Sequence, residues 1–266
     1  MQPYIPSLAA ALLYAGGTLY QALMVRRGGS TASYWVQIIG VLALLAQAFG
    51  VVLDILPGDG LRLDFFSAAN LITTTIIALT LAISVRLPIH NLFMLLFPLG
   101  VLTTLTATLL PAGTVSTIHE APGVLAHILL SITAYGVLTI AMFQSLLVLM
   151  QDYHLKSRTS TKLTRSFAPL QTMESLLFGF LWAGWVLLLL SLISGWIAFE
   201  DLFAQHLVHK TLLAVLAWVV FGVLLWGRHQ LGWRGFKAIR WTLVGFLLLM
   251  LAYFGSKLVR EFILHI

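Results

Sequence analysis

PGVLAHILLSITAYGVLTIAMFQSLLVLM, residues 122–150, decides how the chain folds. It is an unbroken apolar run, longer than the ~20 residues that carry a helix across a bilayer. His127 lies one turn inside its start. Ser131, Tyr135 and Thr139 follow at steps of four, so the four side chains climb one side of a helix. The rest of the run is mostly Leu, Ile, Val, Ala and Met. An ionisable ring at the edge of so apolar a segment is costly to bury, and this marks His127 as a functional-site residue.

The same pattern repeats on either side. Eight apolar runs, roughly 6–24, 33–52, 65–85, 90–109, 122–150, 172–198, 210–226 and 240–259, predict an all-α polytopic transmembrane helix bundle forming one domain. The composition agrees: 60% of the 266 residues are hydrophobic and 9% charged, whereas soluble domains are about a quarter charged. No stretch is left over for a soluble domain. No internal repeat is visible, which argues against an inverted-repeat transporter.

The net charge of +6 reflects topology rather than nucleic-acid binding, because the basic residues sit in short loops. The loops after spans one, three, five and seven hold 11 of the 15 Lys and Arg, from Arg26 and Arg27 to Arg240. By the positive-inside rule those loops are cytoplasmic, and both termini are outside. Arg26 and Arg27 follow the first apolar run and no basic residue precedes it, so the N-terminus does not read as a cleavable signal peptide. This orientation puts His119, His127, His206, His209 and His265 on the outer side with most of the acids, and His90, His154 and His229 on the inner side.

The chain has no cysteine. Thiol chemistry and covalent haem attachment through C-x-x-C-H are therefore excluded. Neutral imidazole is a good ligand for haem iron, and two imidazoles can hold it from opposite faces. Arg62, Lys210, Lys257 and Arg260 are the outer-side cations that could pair with propionates. The plainer reading of a membrane-edge histidine is an interfacial residue with one hydrogen bond, and it applies to His119, His206 and His265. Zinc is a weaker reading of His206 and His209 near Glu200 and Asp201, since zinc sites gather three or four ligands and no H-E-x-x-H pattern occurs. The hydroxyls of Thr73 to Thr75 and Thr103 to Thr108 are expected to return to their own helix carbonyls or to bind neighbouring helices, rather than to line a substrate path. Most Trp residues sit near span ends like an aromatic belt, but Trp218 is mid-span. No P-loop, G-x-S-x-G or intramembrane carboxylate pair occurs, and no enzyme activity is expected.

Three stretches resemble a known family: AHILLSITAYG (126–136), HKTLLAVLAWVVFGVLLWGR (209–228) and GWRGFKAIRWTLVGFLLLMLAYFGS (232–256). They resemble the cytochrome c assembly membrane proteins of the CcsA, CcmC and HemX type, and most closely the YpjD-like inner-membrane branch. The resemblance implies an inner-membrane protein that holds or relays haem at the outer face during cytochrome c maturation. It implies His127 as an outer haem ligand, places His265 near the second, and makes Lys210 and Trp218 part of the framework. Gln47 stands where some relatives have histidine.

The expected function is non-covalent binding of haem b, with His127 and one of His209, His265 or His119 on the iron. His209 ranks first from the residues, because it opens a span at a depth similar to His127; the resemblance alone favours His265. The expected partners are haem, other cytochrome c maturation proteins and the lipid bilayer, with no nucleic acid. The alternatives are a permease using Asn70, Gln144 and the threonines, and a non-haem accessory scaffold.

Overall fold

The computed structural model describes residues 4–29, 31, 33–55, 64–110, 122–156, 166–198 and 208–255, with backbone alone at Ile55, Pro122, Val208 and His209. Among them are eight long helices and no strand: α1 (Tyr4–Arg26), α2 (Tyr34–Ile55), α3 (Phe65–Ser84), α4 (Phe93–Leu109), α5 (Pro122–Lys156), α6 (Leu170–Ala198), α7 (Val208–Leu231) and α8 (Phe236–Met250). A 3₁₀ turn, His90–Leu92, leads into α4, and a π turn, Leu251–Gly255, extends α8. Eight segments are long and apolar enough to cross a membrane, as the sequence predicts. The chain is a multi-pass membrane protein.

The fifth segment differs from its predicted end. The polar loop expected from residue 151 is still helix as far as Lys156, so α5 has 35 residues. At 1.5 Å per residue it is about 52 Å long, well beyond the ~30 Å hydrocarbon core. Its last turns therefore lie at headgroup level or beyond, where Asp152, His154 and Lys156 can be solvated.

Two compact units divide the chain. The first, Met1–His119 with Tyr153–Pro169, is organised by α1, which packs on α2 and α4, while α3 packs on the same two helices. The ring of Phe97 fixes how closely they approach. It lies 2.9 Å from where a Cβ on Gly17 would be and 3.0 Å from that of Gly40, so both positions need glycine for α1 and α2 to close over it. Phe97 also stacks on Phe93, at 5.0 Å between ring centres. Asp64 starts α3: its carboxylate accepts from the Ser67 backbone N–H at 2.8 Å, a normal N-cap. The threonines behave as expected. Thr74, Thr75, Thr103, Thr106 and Thr108 each donate to a carbonyl one turn back; Thr104 instead binds a neighbouring helix, as described below.

The second unit is Glu120–Asp152 with Leu170–Ile266. Here α6 packs on α7, and α7 on α8 and its π turn. Leu138 of α5 fills the space left by Gly184 of α6, where a Cβ would lie 2.6 Å from its side chain. Tyr135 of α5 meets the rings of Phe246, Tyr253 and Phe254.

Candidate functional site

The polar stripe on α5 begins at His127. His127 is half-buried and faces α6. Its Nδ1 lies 2.9 Å from the Ser191 carbonyl and 3.1 Å from Ser194 Oγ. A carbonyl can only accept, so Nδ1 carries the proton and Nε2 the lone pair. Ser131, one turn on, places its hydroxyl 3.4 Å from Nε2 and donates to the His127 carbonyl at 2.7 Å. The same hydroxyl lies 2.7 Å from Ser191 Oγ. Ser194 in turn donates to the Ser191 carbonyl at 2.8 Å. The imidazole is thus held by one backbone acceptor inside a small knot of hydroxyls, with its basic nitrogen defined. The α6 partners come from the run SLISG, 191–195. The sequence reading passed over this run, although serine, serine and glycine at i, i+3 and i+4 share one face of a helix.

Further down the stripe, Thr139 donates to the Tyr135 carbonyl at 2.8 Å and is a local bond, not part of a site. Trp218 lies on α7 stacked face to face with Trp185 of α6, at 5.0 Å and 10°. Trp185 Nε1 donates to the Trp218 carbonyl at 3.0 Å. The indole nitrogen of Trp218 is buried with no hydrogen-bond partner among the described residues; such an orphan is uncommon in a native interior. Lys210 is half-buried in the first turn of α7. The backbone of His209 is helical beside it. His119, His206 and His265, like Glu200 and Asp201 of the zinc reading, lie outside the described residues. Among the described residues, no three His, Asp or Glu side chains gather as a metal site would require.

The polar groups that would have served a permease are engaged elsewhere. In the first unit Tyr14 donates to Gln47 Oε1 at 2.7 Å, and Gln47 Nε2 donates to Asn70 Oδ1 at 2.7 Å. Thr104 reaches the same Asn70 oxygen at 3.3 Å. This chain ties α1, α2, α3 and α4 together, and all four side chains are buried. In the second unit Gln144 Nε2 donates to the Met173 carbonyl at 3.1 Å. A cavity of about 320 Å³ opens in the first unit beside Asp54, Asp64 and Asn70, with Ser67 Oγ 2.8 Å from Asp54 and 3.0 Å from Asp64.

A multi-pass membrane protein with one tautomer-fixed imidazole at a span end is the class these features define. The chain belongs to the cytochrome c assembly protein family, whose model matches residues 35–264. Membership supports a role in cytochrome c maturation, as an assembly factor rather than a classical enzyme. The chain is similar to inner membrane protein YpjD of Escherichia coli K12, 32% identical over 228 residues, covering 85% of this chain and 86% of the relative. It is also similar to protein HemX of Brevibacillus brevis, 26% identical over 220 residues and 81% of each chain. An Azospirillum brasilense protein of 28.8 kDa, from a nifR3-like 5' region, is 37% identical over 148 residues, 54% of this chain and 55% of that one. No solved structure matches.

Proposed function

We propose that this chain binds haem b non-covalently at the outer face of the bacterial inner membrane, holding or relaying it for cytochrome c maturation. His127 would supply one ligand to the haem iron. Its hydrogen bond to the Ser191 carbonyl at 2.9 Å carries the reading, because a ligating imidazole needs its other nitrogen protonated and oriented by such an acceptor. The donor set suits the group: neutral imidazole is a normal haem ligand, and no thiolate is present to compete. His209, His265 or His119 supplies the second nitrogen, with His209 preferred because it opens α7. Lys210 would hold a propionate and Trp218 would belong to the framework around the ring. The family and the E. coli relative's description support the membrane and the maturation context, with other maturation proteins as partners.

The test is the absorption spectrum of purified protein, parent against His127→Ala. The parent is expected to show a Soret band that the variant loses or shifts. Haem retained with an unchanged spectrum would remove His127 from the iron.

A further inference from the structure

We infer that Gly195 is a positioning residue for the His127 ring, and that Nε2 is consequently the nitrogen offered to a ligand. The inference rests on the reading of His127 as a haem ligand. The contact itself is independent of that reading. A Cβ on Gly195 would lie 2.9 Å from His127 Cε1, 3.2 Å from Nδ1 and 3.7 Å from Nε2. The methyl would thus press on the ring edge that bonds Ser191 and Ser194. An imidazole is a rigid plane turning about two bonds, so it cannot yield as a long flexible side chain can. The ring must turn or α6 must move away, and either takes Nδ1 off the Ser191 carbonyl. Gly195 is one turn beyond Ser191 on the same helix, so the acceptor and the gap that admits the ring are set by one element. Ser194 alone would not fix the tautomer, since a hydroxyl can donate as well as accept; the Ser191 carbonyl does.

A carbonyl held on Nδ1–H makes Nε2 more basic and fixes the plane of the ring. Loss of such an outer partner lowers metal-site affinity by about 10–100-fold in other proteins. Gly179 on the same helix is the control, because nothing lies within 4 Å of the position of its Cβ.

Three measurements test this. The first is the nitrogen-15 spectrum of histidine-labelled, haem-free protein in mildly alkaline buffer, with His127 assigned by its loss in His127→Ala. The parent should show the Nδ1–H tautomer, a result that depends on no variant folding. Gly195→Ala should shift toward the Nε2–H form, and Gly179→Ala should match the parent. The second is haem titration, where Gly195→Ala should bind about tenfold or more weakly and Gly179→Ala as the parent does. The third is the haem midpoint potential, which should rise in Gly195→Ala as the ligand becomes less basic. An Nε2–H tautomer in the parent overturns the inference. So does a folded Gly195→Ala with parental tautomer, affinity and potential. If the tautomer behaves as expected while His127→Ala keeps the parental haem spectrum, the haem reading falls and the positioning of the ring by Gly195 stands.

Discussion

Gln47 is the middle link of the buried hydrogen-bond chain in the first unit. A histidine here would place an ionisable ring inside the first unit. This chain has an amide, and both of its ends are used: the oxygen accepts from Tyr14 and the nitrogen donates to Asn70. Gln47 and Asn70 were visible in the sequence as polar residues in apolar runs, but Tyr14 was not, because nothing in α1 marks one tyrosine as buried. Two substitutions separate the links of the chain. Tyr14→Phe leaves one acceptor without its donor, and cross-helix hydrogen bonds in membranes are worth about 0.6 kcal/mol on average. Asn70→Ala strands two donors, on Gln47 and Thr104, and opens a gap among three helices. Thermal unfolding in detergent should therefore rank Asn70→Ala well below Tyr14→Phe, and Tyr14→Phe slightly below the parent. Equal melting temperatures for the two would show that the links do not act as a network.

The connection between α7 and α8 shows why helix ends are harder to read than helix bodies. Apolar runs announced all eight spans, yet α8 begins at Phe236 rather than near residue 240. The reason is remote in sequence. Buried Glu174, on α6, accepts from the Gly235 backbone N–H at 3.1 Å and so caps α8 from another helix. The turn before it needs left-handed backbone at Gly232, φ 65°, and Gly235, φ 59°. Trp233 between them folds back over Gly227, bonding its carbonyl at 3.1 Å, and Lys237 lies over the indole at 5.2 Å. The motif GWRG was legible as a turn, but the acid completing it sits 61 positions away. Substitutions at the two ends should act differently. Gly232→Ala forces an L side chain into left-handed backbone and should cost about 1–2 kcal/mol. Glu174→Ala removes a cap, worth about 1 kcal/mol, whereas Glu174→Gln keeps an acceptor oxygen and should lose less. Melting of the three variants in one detergent checks the order. A Glu174→Gln as damaging as Glu174→Ala would mean that the charge, not the acceptor, matters there.

For the molecule as a whole, the function depends on sidedness. The distribution of Lys and Arg carries that information, because a helix bundle looks the same to its own packing whichever way it is inserted. With 11 of 15 basic residues after the odd-numbered spans, the positive-inside rule predicts that those loops face the cytoplasm and that the His127 end of α5 faces outward. The absence of cysteine makes this directly measurable, since a single introduced thiol is the only one to label. Leu110, exposed just beyond α4, lies on the expected outer side, and Leu231, exposed at the end of α7, on the expected inner side. In intact spheroplasts a membrane-impermeant maleimide should label Leu110→Cys and spare Leu231→Cys; after permeabilisation both should react. Gly123, exposed in the first turn of α5, reports on the end that carries His127, so Gly123→Cys should follow Leu110→Cys. Were Leu231→Cys labelled from outside and Gly123→Cys protected, the imidazole would face the cytoplasm. A haem held there could not be handed to an apocytochrome at the outer face, and the proposed function would fail even with His127 on the iron.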